Sequence, residues 1–179
     1  MKRSFTFPLL TALALAASAG TALADTSSAA PVLMSADWAA QACTAWNSNP
    51  QLVSGLGGKW IANNGKRGYK IIHIYRKDCK DSPQVELKIV PKDGKAWCAY
   101  GGKVMTPKLD SSYDYLMWAE TDDWHDMGAG KYGPMHAMMF GDLLFEGPKW
   151  EAMSVMGPFE QFLLLVGKVP SNESVCPAK

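Results

Sequence analysis

Between Asp123 and Pro148 the chain is broken by glycine or proline so often that no long element fits. Gly128, Gly130 and Gly133 come just before Pro134, Gly141 follows Phe140, and Gly147-Pro148 closes the stretch. Thr121-Asp122-Asp123 supplies a cap and first-turn acids for a short helix that carries Trp124 and Met127 on one face. Pro134 suits the first position of a second short helix, where its missing N–H would have no partner in any case. Leu143-Leu144-Phe145 then reads as a short strand. Such a segment folds only as small pieces laid on a larger support.

Gly128 to Gly133 also matches G-x-G-x-x-G, the pattern of a dinucleotide-binding turn. That turn needs a strand before the glycines and a long helix after them. Here a helix precedes them, and Pro134 removes an N–H that a phosphate would use. Lys131 is followed by Tyr132, not Ser or Thr, so a P-loop fails as well. The glycines are read as a tight reversal between two short helices.

The support lies upstream. Ser35 can cap a helix whose stripe includes Trp38, Ala42 and Trp46. Asn47 to Gly58 is rich in turn residues. Trp60-Ile61 and Tyr69 to Tyr75 flank Asn63-Asn64-Gly65-Lys66, which predicts a hairpin. Val85 to Ile89 alternates as a half-buried strand, and Asp93-Gly94 turns the chain into Ala96 to Tyr100. After a connection, Tyr113 to Ala119 reads as another strand. Trp150 to Met156 and Pro158 to Val166 read as helices broken at Gly157-Pro158. The order predicts an α+β domain, with helices on one side of an antiparallel sheet.

The N-terminus predicts the compartment. Lys2 and Arg3, a Leu/Ala run from Pro8 to Ala19, and Ala22-Leu23-Ala24 form a secretory signal peptide, residues 1–24. The apolar run is too short to span a bilayer. Residues 25–34 read as a flexible leader and 35–179 as one domain, with the bacterial periplasm as destination. Without Lys2 and Arg3, 16 basic and 17 acidic residues remain, which gives no reason to expect nucleic acid as a partner. Cys43, Cys79, Cys98 and Cys176 are an even set in an exported chain, so two disulfides are expected. Of the three pairings, Cys79–Cys98 with Cys43–Cys176 is the one expected.

Asp123-Trp124, Met127, Gly130-Lys131, Pro134, Ala137-Met138, Gly141, Leu143, Phe145 and Gly147 follow one ungapped pattern. It is D-[aromatic]-x-x-[apolar]-x-x-G-K-x-x-P-x-x-A-[apolar]-x-x-G-x-L-x-[apolar]-x-G. This closely resembles the sterol carrier protein type 2 family. "VPKDGKAWC" looks like the family's hairpin, and "WEAMSVMGPFEQFLLLVGKVP" takes the place of its last helices. The resemblance runs over about Trp60 to Pro170. It implies a sheet of about five strands covered by helices, with a hydrophobic tunnel that holds acyl chains, sterols or other lipids without chemistry. Asp123, Gly130, Pro134, Gly141 and Gly147 are then structural. The signal peptide and the four Cys depart from the intracellular members of that family. The Cys43 helix and Cys176 tail lie outside the matched core, so the tunnel's ends are open to a different construction.

Six of the ten methionines fall between Met127 and Met156. Met is unbranched and polarizable, and so adapts to a flexible guest. The expected wall residues are Trp118, Trp124, Met127, Met135, Met138, Met139, Phe145, Met153, Phe159, Phe162 and Leu163. Phe159, Phe162, Leu163 and Val166 make one apolar stripe, which Leu164 and Leu165 widen. Met135, His136, Met138 and Met139 offer soft ligands for Cu(I), so a copper carrier is the alternative. A module that docks on a lipid-handling enzyme or transporter is another. No G-x-S-x-G is present, and His125-Asp126 has no second His-Asp cluster to join. The expectation is therefore a non-enzymatic, monomeric carrier of one hydrophobic molecule that needs no cofactor and makes transient membrane or transporter contact.

Overall fold

The computed structural model describes residues 29–81 and 83–178. The expected signal peptide lies outside the described residues. So does the first part of the leader. The rest of the leader is joined to the domain at its end: Leu33 and Met34 are fully buried, and Leu33 N donates to Asn172 O at 2.9 Å.

Helix α1, Ala36–Asn47, begins where Ser35 Oγ accepts a hydrogen bond from Trp38 N at 3.2 Å. Its buried stripe includes Trp38, Ala42, Cys43 and Trp46. Trp46 Nε1 donates to Ala96 O at 2.9 Å, and the Asn47 carboxamide pairs with both backbone groups of Cys98 at 2.8 Å. Two helical turns follow, α2 (Pro50–Val53) and α3 (Lys59–Ala62). The expected hairpin between Trp60-Ile61 and Tyr69 is therefore replaced by a helical turn entering the sheet. Trp60 and Ile61 are both buried, whereas neighbours on a strand face opposite ways.

The sheet comprises β1 (Lys70–Arg76), β2 (Val85–Lys92), β3 (Lys95–Lys103), β4 (Tyr115–Ala119) and β5 (Leu144–Glu146). Its order is β3-β2-β1-β4-β5. Three of the pairings are antiparallel, and β1 runs parallel to β4 with Ile72 beside Tyr115 and Ile74 beside Met117. Asp93 and Gly94 join β2 to β3 with φ values of 51° and 74°, which fits a two-residue turn with both central residues left-handed.

The helices lie on one face. Helix α1 packs on β3 and β2, and α4 (Thr121–Gly128) packs on α7 (Met156–Lys168). Between them come α5 (Pro134–Phe140) and α6 (Lys149–Ser154). Thr121 opens α4 but is not its cap: Glu120 holds that position, and the Thr121 hydroxyl donates to Asp78 Oδ2 at 2.6 Å. The break between the last helices falls at Val155, not at Gly157-Pro158. Pro158 sits in the first turn of α7, where its missing N–H leaves no bond unmade.

On the opposite face, the connection after β3 covers β1 and β2. Met105 N and Thr106 N donate to the buried Glu86 Oε2 at 3.0 and 2.7 Å, and His73 Nε2 lies 3.2 Å from the same oxygen.

The disulfides are Cys43–Cys98 and Cys79–Cys176, which corrects the expected pairing. Because α1 lies on β3, Cys43 meets Cys98. The tail runs past the end of β1, where Arg76 donates to Val175 O at 2.6 Å and Glu173 O at 2.7 Å. That course brings Cys176 to Cys79.

Candidate ligand-binding site

A small apolar cavity lies between the sheet and the last two helices. Ile72, Tyr115 and Met117 form its floor, Trp46, Leu56 and Trp60 its side, and Ala152, Val155, Phe159 and Phe162 its roof. The floor follows from strand parity. In β4, Tyr115, Met117 and Ala119 are buried toward the helices, while Leu116 and Trp118 are only partly buried.

Aromatic rings surround this space. Trp60 stacks on Tyr115 at 6.0 Å, and Tyr115 on Phe145 at 6.5 Å. Phe145 meets Phe159 at 6.5 Å, Phe159 meets Phe162 at 6.4 Å, and Phe162 meets Trp46 at 6.1 Å. The space amounts to about 30 Å³. Ligand pockets usually measure about 300–1,000 Å³. A guest the size of an acyl chain must therefore part Phe159 and Phe162 from the sheet.

A second apolar site lies behind Phe145. This groove of about 310 Å³ is lined by Met135, Met138, Met139, Leu143, Leu144, Phe145, Lys149 and Met153. Met139 is 72% exposed, and Phe140 (69%) and Trp150 (84%) are more exposed than is usual for such side chains. Phe145 lines the groove and packs on two residues of the cavity, so the two spaces lie back to back across one ring.

A polar corner adjoins the cavity. Lys70 is fully buried. Its Nζ lies 2.5 Å from Glu151 Oε2, 3.1 Å from Asn63 O and 3.4 Å from Trp60 O. It also sits over the rings of Trp60 (4.6 Å) and Tyr115 (5.3 Å). The Tyr115 hydroxyl donates to Glu151 Oε2 and accepts from Trp60 Nε1 at 3.1 Å. Asn63 Nδ2 donates to Glu151 Oε1 at 2.7 Å. Burial lowers the Lys70 pKa, although Glu151 opposes the shift. Burial raises that of Tyr115, and its bond to Glu151 adds to the shift.

Beside this corner, Arg67 forms a two-pronged pair with Asp114 at 2.7 and 2.8 Å. Asp114 also accepts from Ile71 N and Asp110 N, each at 2.9 Å. Burial pushes the Asp114 carboxyl up, but Arg67 and the two backbone N–H groups outweigh it and hold the pKa low.

The expected wall residues thus fall into four places. Phe159 and Phe162 line the cavity. Met135, Met138, Met139, Phe145 and Met153 line the groove. Trp124, Met127 and Leu163 are buried in the core without lining either space, and Trp124 Nε1 donates to Tyr75 O at 3.1 Å. Trp118 is on the wrong face of β4, stacked on Tyr75 at 5.8 Å, and Met117 occupies the position foreseen for it. Alternation along β4 was the signal that could have found Met117. Nothing in the local sequence marks Lys70 and Glu151 as partners.

His136 pairs with Asp142 at 3.8 Å, and its ring lies against Tyr132 and Phe140. Among the described residues, no group of three or more His, Cys, Asp or Glu side chains is arranged to hold a metal ion.

Residues 40–160 match the model of the SCP-2 sterol transfer family. No curated protein sequence matches the chain. Among solved structures, the crystal structure of sterol carrier protein 2 is similar, with 15% identity and a TM-score of 0.52 over 76% of this chain and 98% of that one. A solution structure from Thermus thermophilus, titled "possibly sterol carrier protein", has 17% identity and a TM-score of 0.49 over 82% of this chain and 96% of that one. The likeness to sterol carrier protein 2 is one of fold.

Proposed function

This chain belongs to the SCP-2 sterol transfer family, and from that premise we propose that it is an exported, non-enzymatic carrier for a lipid or similar hydrophobic molecule. The observation that carries this reading is the aromatic-ringed cavity between β1, β4, α6 and α7. Its walls are almost wholly apolar, so the guest is held by burial.

The magnitudes are adequate. Each buried methylene contributes about 0.8 kcal/mol, so about a dozen contribute roughly 10 kcal/mol. That is of the order of the cost of association, about 4–15 kcal/mol. Opening the roof adds to the cost, so binding should be reversible, as a carrier requires.

The signal peptide expected from residues 1–24 would deliver the chain to the periplasm, and two disulfides suit an oxidising compartment. The exposed Met139, Phe140 and Trp150 beside the groove support a transient contact with a membrane or transporter, where a monomer takes up or releases its guest. Native mass spectrometry of the exported protein, with extraction of co-purified molecules, tests the reading. One bound apolar molecule per chain is the expected result. Protein that emerges empty and takes up no fatty or isoprenoid probe rules it out.

A further inference from the structure

The polar corner is not needed to bury an apolar chain. Lys70 is fully buried, and Glu151 is its one carboxylate partner within hydrogen-bond distance among the described residues. The nearby Asp114 is engaged by Arg67 and two backbone N–H groups. Removing the Glu151 charge would leave a buried ammonium uncompensated, which is strongly unfavourable. An opening that carries Glu151 away leaves the Lys70 ammonium to water or to another anion, and the anion is favoured wherever water stays excluded.

Glu151 rides on a short and lightly buried element. Helix α6 has six residues, of which Ala152 alone is buried. Trp150 is 84% exposed and Met153 46%. The same helix supplies Ala152 to the cavity roof, with Val155 following it. Lifting α6 would uncover the apolar space and the Lys70 ammonium together. A surface depression of about 450 Å³, lined in part by Asn63, Glu151 and Ser154, shares Trp60 and Val155 with the cavity. A polar head can reach the corner from there while its chain lies inward.

The geometry points to Lys70, Tyr115 and Asn63 as a head-group site that Glu151 fills in the empty protein, and that takes the carboxylate of a single-chain amphiphile when α6 opens. Glu151 shows what the site fits. One of its oxygens receives the Lys70 ammonium and the Tyr115 hydroxyl, and the other receives the Asn63 carboxamide. Three donors around a planar, two-oxygen anion suit a carboxylate head. Entry is then an exchange of one carboxylate for another, with no bond made or broken. This rests on the lipid-carrier reading and names the head group that the carrier prefers.

The test measures binding of hexadecanoic acid and of hexadecanol to the delipidated full chain at neutral pH. The two probes share a chain and differ in charge, so the ratio of their affinities reports the head-group site. Wild-type protein should favour the acid. E151Q should raise the acid-to-alcohol ratio about tenfold by removing the internal competitor, and K70M should bring the ratio close to one. A ratio that is the same in wild type, E151Q and K70M overturns the head-group site and leaves the carrier reading standing. Binding of neither probe by any of the three overturns both. Should K70M fail to fold, E151Q decides alone: a gain confined to the acid supports the site, and an equal change for both probes rejects it.

Discussion

A Cβ added to Gly128 would lie 2.6 Å from the backbone nitrogen of Gly167, so α4 and α7 touch through their main chains. No side chain fits there without pushing the helices apart. Gly128→Ala should cost about 1–3 kcal/mol, the usual cost of overpacking a rigid contact. Because α7 carries Phe159 and Phe162 over the cavity, probe uptake should weaken as well. Urea denaturation and a fluorescent-lipid titration check the two effects, and an unchanged urea midpoint would count against the contact.

Cys43–Cys98 closes a loop of 55 residues and Cys79–Cys176 one of 97. In the chain-entropy account, each bridge contributes about 4 kcal/mol. Cys43→Ser with Cys98→Ser removes the covalent tie of α1 to β3, whereas Cys79→Ser with Cys176→Ser removes that of the tail. Both pairs should melt well below wild type, and the first should also loosen the cavity, since Trp46 is on α1. Peptide mapping without reductant should recover these two linkages and not Cys79 joined to Cys98.

Met117 and Trp118 are neighbours on opposite faces of β4, and only Met117 meets the cavity. Met117→Ala should destabilise the empty protein by about 2–5 kcal/mol through a larger void. Part of that loss should return on adding an apolar probe, up to about 2.7 kcal/mol at a hundredfold excess over Kd. Trp118→Ala should change uptake less than about twofold. Equal loss of uptake in both variants would mean that the guest lies elsewhere.

Asp114 predicts an acid limb to the stability curve. Its folded pKa is held below the ordinary value of 3.8. The unfolded chain therefore binds more protons in the window below that value, and stability rises with pH there. The contribution is complete above the unfolded pKa and is lost as pH falls through the folded one. Asp114→Asn should lower stability at neutral pH and flatten the dependence below about pH 4. Urea midpoints taken between pH 2 and 6 read both effects, and a D114N curve parallel to wild type would contradict the assignment.

The α+β order, the β2–β3 turn at Asp93-Gly94 and the two short helices around Pro134 were legible because local chemistry decides them. Helical turns at Pro50–Val53 and Lys59–Ala62 were not, since each is shorter than the period that would reveal it. The methionines of α5 and α6 were found as a group, but composition alone did not show that they line a surface groove rather than the interior space. Trp118 faces away from the cavity because the alternation of β4 turns Tyr115, Met117 and Ala119 toward the helices. Lys70, Tyr115 and Glu151 come together across separations of 36 and 81 residues. Only the sheet order and the placement of α6 bring them to one corner.

Val32 and Asn172 form a parallel bridge, with Asn172 N donating to Pro31 O at 2.8 Å. The first and last segments of the domain are thus completed by one and the same contact. A polypeptide emerging N-terminus first cannot make this bridge until Asn172 has been released. Closure, and with it the bond between Cys79 and Cys176, therefore waits until residues 172 to 176 have joined the segments they bind.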